Sequence, residues 1–157
     1  MLTYNPPIED MLHILKNIVD FNSLEKAAEL DDEMVDAILH EAGKLARDVL
    51  APLNRVGDEF SMECKDGEVR TPPGFKEAYA QYCESGWNSV PFSPEFDGQG
   101  LPYTLSFPLQ EMWQSANVSF SLCPLLNQGA IEAIEHHASD ALKNTYLPKM
   151  ISGEWTG

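Results

Sequence analysis

The sequence predicts an all-α fold, an antiparallel bundle of about five to six helices. Three observations carry that expectation. Apolar residues recur at 3.6-residue spacing in several segments. Most of those segments open on Pro, Asp, Asn, Ser or Thr and close on Gly or Pro. No stretch alternates convincingly with the two-residue period of a strand. The 157 residues fit one ordinary domain, and a hydrophobic share of 43% is enough to fill its core.

The first helix is expected over residues 7–20: Pro6 and Pro7 stand at its opening, Glu9 and Asp10 complement the positive end of its dipole, and Ile8, Met11, Leu12, Leu15, Ile18 and Val19 form its apolar stripe. A second helix starts at an Asp31 or Asp32 cap, with Val35, Ile38, Leu39, Ala42, Leu45, Ala46, Val49 and Leu53 on one face. Pro52 should kink or end it. From Ser61 to Arg70, the Asp66-Gly67 pair predicts a turn or short irregular hairpin. Thr71 is then expected to cap, and Pro72-Pro73 to open, a third helix that buries Phe75, Ala78, Tyr79, Tyr82 and Cys83 and stops at Gly86.

Trp87 to Pro102 forms a loop rich in Pro and Gly, of a length that is functional or packed against something. Pro102 can start the next helix, where Leu105, Leu109, Met112 and Trp113 share a face despite the internal Pro108. Asn117 caps a long apolar segment, Val118 to Ile134, whose Leu122, Leu125, Leu126, Gly129, Ala130 and Ala133 predict a central helix buried on most sides. Ser139 caps the last helix, with Leu142, Tyr146 and Leu147 inward and Pro148 and Gly153 ending it.

Charge disfavours two classes of partner. Ten Lys and Arg against 25 Asp and Glu give a formal charge of −15, which repels phosphate backbones and anionic lipid heads. Between Lys76 and Lys143 there is no Lys or Arg at all. Nucleic-acid and membrane partners are therefore not expected. No apolar run has membrane-spanning length and the N-terminal residues lack the pattern of a signal peptide, so a cytoplasmic location is expected. Cys64, Cys83 and Cys123 are odd in number and widely spaced, which predicts ordinary reduced thiols.

No catalytic constellation is complete. A di-iron bundle needs acidic-x-x-His pairs on two helices, and only Asp10-Met11-Leu12-His13 has that spacing, so no metal ligand is assigned. His136-His137 suits the negative end of a helix dipole without further role. There is no Gly-x-Ser-x-Gly, and Gly98-Gln99-Gly100 lacks the third glycine, preceding strand and lysine of a phosphate loop. From residue chemistry alone the chain is a helical scaffold with one rigid loop.

The order of motifs in the second half adds a resemblance. Gly86-Trp87, then Pro94-Glu95-Phe96-Asp97-Gly98-Gln99-Gly100-Leu101-Pro102, then Tyr146-Leu147-Pro148-Lys149-Met150, then Ser152-Gly153-Glu154-Trp155-Thr156-Gly157 resembles the N-terminal helical domain of acyl-CoA dehydrogenases. The opening Tyr4 to Met11 resembles the long bacterial branch that includes 3-methylmercaptopropionyl-CoA dehydrogenases. The departure is Asp97, where the family usually has glycine; an Asp can adopt the left-handed conformation, so the loop shape is expected to survive.

The resemblance implies residues 1–34 as an N-terminal extension helix and 35–157 as the helical domain, the middle β-domain and C-terminal helical domain of the family being absent from these residues. It further implies an FAD flavoenzyme of fatty acid metabolism that introduces an α,β double bond into an acyl-CoA thioester, with an electron-transfer flavoprotein-type acceptor and a dimer or tetramer as the assembly. No catalytic or cofactor-binding residue falls on this sequence, which is expected to be an inactive fragment alone. In the family the central helix of this domain lines the acyl tail; the matching residues are Leu122, Leu125, Leu126 and Gly129, expected to line the substrate pocket. The alternative is a stand-alone helical binding or interaction module without catalysis.

Overall fold

The computed structural model describes residues 3–24, 27, 30–60 and 62–157, and these form an all-α bundle with one small hairpin at its side. The first helix, α1, spans Ile8–Asn17, with Met11 and Leu15 inward. It ends three residues before the expected boundary. Asp20 adopts a left-handed conformation (φ 52°), which turns the chain so that Phe21 enters the core, while Ile18 and Val19 stay in water.

Asp31 caps α2 (Asp32–Lys44) as expected, its carboxylate accepting the Met34 N–H at 2.7 Å. Pro52 does not end this rod. The backbone passes from α2 through a π-helical stretch, Leu45–Leu50, into α3 (Ala51–Glu59) with Pro52 in the first turn of α3. The N–H of Ala51 bonds to the carbonyl of Ala46, five residues back. That wider turn relieves the clash a proline ring makes with the carbonyl four residues before it, so the helix continues.

The hairpin pairs β1 (Glu63–Lys65) with β2 (Glu68–Arg70) in antiparallel register, Cys64 opposite Val69. Asp66 (φ 54°) and Gly67 (φ 82°) are both left-handed, the geometry of the two-residue turn that matches strand twist. Ser61, the first residue of the expected turn, lies outside the described residues. Next, α4 spans Phe75–Glu84 and buries Ala78 and Tyr82. Its N-cap is the left-handed Gly74, not Thr71, because a turn closed by the Phe75 N–H on the Pro72 carbonyl at 3.4 Å intervenes before the helix.

The loop after α4 is a packed corner. Its amides bond within the loop itself: Gly98 N–H to Ser93 O at 3.0 Å, Gly100 N–H to Phe92 O at 2.8 Å, and Leu101 N–H to Val90 O at 3.0 Å. Asp97 takes the left-handed conformation expected of it (φ 66°). Gly98 is required for a different reason: a Cβ there would stand 2.1 Å from the Phe92 carbonyl oxygen.

Three helices complete the bundle: α5 (Tyr103–Ala116), α6 (Val118–His137) and α7 (Asp140–Ile151). Leu105, Leu109, Met112 and Trp113 of α5 are buried together, as their spacing predicts. The Trp113 ring meets Tyr82 edge-on at 5.0 Å and Trp87 at 5.7 Å, so α4, α5 and the loop share one aromatic centre. A smaller core joins Phe92 and Phe96 of the loop to Ile131, Leu147, Met150 and Ile151.

Two expectations for the last helices fail. In α6 one face is buried (Phe120, Ser121, Pro124, Asn127, Ile131), and the helix is not enclosed on most sides. In α7 only Leu147 of the three expected residues faces inward, Leu142 and Tyr146 being exposed, and the helix runs through Pro148. Its core face is instead Leu147, Met150 and Ile151, and left-handed Gly153 follows its end.

Candidate functional site

The site begins with a sequence conflict in α6. A helix with apolar residues on both faces can bury only one of them against its own bundle. The side set by Pro124, Asn127 and Ile131 goes in, which leaves Leu122 (50% exposed), Leu125 (38%) and Leu126 (62%) outward. Gly129 continues the stripe as bare backbone, and beyond its own helical backbone and chain neighbours no atom of the described residues lies within 4 Å of the place a Cβ would occupy. All four residues expected to line a pocket therefore lie on one open face. Burying a leucine fully is worth about 1.5–3 kcal/mol, so this face gains substantially from any apolar group laid on it.

Around the stripe, α5 supplies a flank. Tyr103 and Phe107 are exposed and meet edge-on with ring centroids 5.5 Å apart. The side-chain amide of Gln110 donates to the Oε1 of Gln128, bridging α5 to α6. The Tyr103 hydroxyl is pushed up from its ordinary pKa by partial burial and by the Glu132 carboxylate beside it, so it stays protonated at neutral pH.

Behind the stripe, Asn117 fixes where α6 starts. Its Oδ1 accepts the Phe120 N–H at 3.0 Å while its Nδ2 donates to the Leu50 carbonyl at 3.2 Å, tying the start of α6 to the π-helical stretch. Asn127 fixes the middle. Its Nδ2 donates to the Met150 carbonyl at 3.0 Å and its Oδ1 accepts the Gly157 N–H at 3.1 Å. Asn88 reinforces the same place by donating to the carbonyls of Met150 and Ile151 at 2.8 and 2.9 Å. Sequence reading missed this buried pair. Its signal was an Asn at the register of Pro124 and Ile131, where the helix is otherwise apolar.

The remaining candidates stay apart. Among the described residues no three His, Cys, Asp or Glu side chains converge as a metal site requires. His13 pairs with Asn17 of its own helix, and His136 and His137 occupy the last turn of α6. The thiols of Cys83 and Cys123 are pushed up by burial, the direction that suppresses nucleophilic thiolate. No described helix is long and apolar enough to cross a membrane.

Comparison with known proteins places the helical domain in a family. The family model described as acyl-CoA dehydrogenase, N-terminal domain, matches residues 32–154, from the first turn of α2 to just beyond α7. The chain is 35% identical over 159 residues to 3-methylmercaptopropionyl-CoA dehydrogenase of Ruegeria pomeroyi, covering 99% of this chain and 27% of that protein. It is 33% identical over 161 residues to a butyryl-CoA dehydrogenase of Syntrophomonas wolfei subsp. wolfei, covering 96% of this chain and 26% of the relative. The chain thus spans about a quarter of the length of the curated relatives it matches.

Proposed function

The chain belongs to the acyl-CoA dehydrogenase family through its N-terminal domain, and from that premise we propose that the outward face of α6 is one wall of an acyl pocket. The enzyme in this reading is FAD-dependent and introduces an α,β double bond into an acyl-CoA thioester of fatty acid metabolism. Residues 1–34 are assigned as an N-terminal extension to the helical domain of residues 35–157. An electron-transfer flavoprotein-type acceptor, a dimeric or tetrameric assembly and a cytoplasmic location belong to the same proposal.

One observation carries it: Leu122, Leu125 and Leu126 stand in water on a helix whose other face is fully used by the core. An acyl tail needs an extended apolar wall without polar groups, and this stripe offers one. Gly129 adds space at the far end of the wall.

The residues present do not form a flavin cradle. A dinucleotide brings a diphosphate, and the span that includes the loop, α5 and α6 carries no Lys or Arg to meet it. Bound flavin would accept the hydride; what this chain's own residues do is shape and dry the tail end of the pocket. No residue here is assigned to proton transfer, and the chain alone is expected to be inactive.

The test uses the natural product of the gene. Its flavin absorbance is recorded, and dye-coupled oxidation is followed with acyl-CoA thioesters of graded length for the parent and for Leu126→Trp. Bound flavin is expected, with kcat/KM in the variant falling about tenfold or more for long chains and little for short ones. Equal losses at every length would refute the wall. A protein without flavin or activity would refute the enzyme and leave the helical binding module.

A further inference from the structure

We propose that a single water molecule is bound in the interior between α5, α6 and the Trp87–Pro102 loop, held by Ser106, Trp113 and Gln128. Three buried polar atoms have no hydrogen-bond partner among the described residues: Ser106 Oγ, Trp113 Nε1 and Gln128 Nε2. All three residues line one small cavity, together with Tyr82, Asn88 and Pro124. Ser106 and Trp113 are only 5% and 4% exposed, so bulk water does not reach them.

Their chemistry is complementary to water and to little else. The indole N–H and the amide N–H of Gln128 are donors that need an acceptor, and the serine oxygen can accept. One water accepts both N–H groups through its two lone pairs and gives an O–H to Ser106 Oγ. The cavity measures about 20 Å³, and a water site needs on the order of 10–15 Å³ by the same measure and two to four polar partners. An organic ligand has no room, and the two N–H donors disfavour a cation. Unpaired, each group would carry the desolvation penalty of a buried polar atom left without a hydrogen bond. The Gln128 amide is already engaged by Gln110 through its oxygen, so the water completes a bridge from the core of α5 to the helix that carries the leucine stripe.

Water-to-protein nuclear Overhauser measurements on the 157-residue chain test this, reading the indole N–H of Trp113, assigned by its disappearance in Trp113→Phe. A long-lived water gives a cross-peak at the water frequency with the sign of a rigidly bound proton. Ser106→Ala and Tyr82→Phe remove the two cavity hydroxyls that could relay such a peak by exchange, and the peak should persist in both, its loss in Tyr82→Phe marking a relayed peak and overturning the proposal. In a crystal of the chain, density should stand within hydrogen-bond distance of all three atoms. Absence of the peak in the parent, or its loss in Ser106→Ala, would overturn the proposal, as would a crystal in which the cavity is closed or dry.

Discussion

Replacing Gly129 by alanine should make the folded chain more stable. Glycine inside an exposed helix costs about 0.8–1.0 kcal/mol relative to alanine, because it surrenders more backbone freedom on folding. The usual offset is a steric one, and here it vanishes: beyond the helix's own backbone and chain neighbours, no atom of the described residues lies within 4 Å of the added methyl. The expected gain is therefore about 1 kcal/mol, or a rise in Tm of roughly 2–4 °C for a chain of this size. Urea denaturation followed by circular dichroism measures the first and calorimetry the second. On the proposed reading of α6 as an acyl wall, the same methyl stands beside the tail, and kcat/KM of the natural gene product for the longest accepted thioester should drop by about 10-fold or more, since one methylene in an apolar pocket is worth about 1–3 kcal/mol. A variant less stable than the parent would show that another part of the folded chain covers Gly129. A more stable variant with unchanged activity on every chain length would refute the placement of Gly129 at the acyl tail.

Other perturbations follow from the same geometry. Gly98→Ala should destabilise by about 3 kcal/mol, because the added carbon meets backbone atoms of Phe92 at 2.1 and 2.3 Å that cannot rotate aside; chemical denaturation would show it. Asn117→Ala removes the buried cap of α6 together with its second bond, to the Leu50 carbonyl, for a loss of about 2 kcal/mol, whereas an exposed cap alone would cost about 1. The Tyr82 hydroxyl is pushed well above its ordinary pKa, chiefly by burial and then by Cys83 and Tyr79. The folded state therefore holds that proton more tightly. Its contribution to stability is complete below about pH 10 and is lost as pH rises beyond it, with a slope of up to about 1.4 kcal/mol per pH unit. Tyr82→Phe should flatten that alkaline limb in unfolding titrations, and an unchanged limb would show that other groups set it.

Much of the fold was legible because local chemistry and tertiary structure agree. Asp31 and Asn117 cap the helices they were expected to cap, and Asp66-Gly67 makes the turn its residue types favour. The failures have identifiable causes. A proline rule written for α-helices does not anticipate a π turn that accommodates Pro52. Apolar periodicity reports that a face avoids water but not what it packs against, so Leu122, Leu125 and Leu126 read as core although the bundle leaves them open. Leu142 and Tyr146 fail in the same way, displaced from the interior by Met150 and Ile151 one turn later. Asn127 showed only as a polar residue on an apolar register and Asn88 not at all, because each is bound to carbonyls brought close only by the folded chain.

The π-helical stretch has a consequence for the spacing of everything beyond it. A turn closed five residues back contains one residue more than an α turn, and each residue of an α-helix advances the helix by about 100°. Leu45–Leu50 therefore acts as a one-residue insertion stored inside a continuous rod, rotating α3 by more than a quarter turn relative to α2. A shortened rod lacking one residue of that stretch could close a regular helix, but Leu53 would leave Gly74 and Pro52 would again press on a carbonyl four residues back. The length of this segment is thus as strongly constrained as its composition.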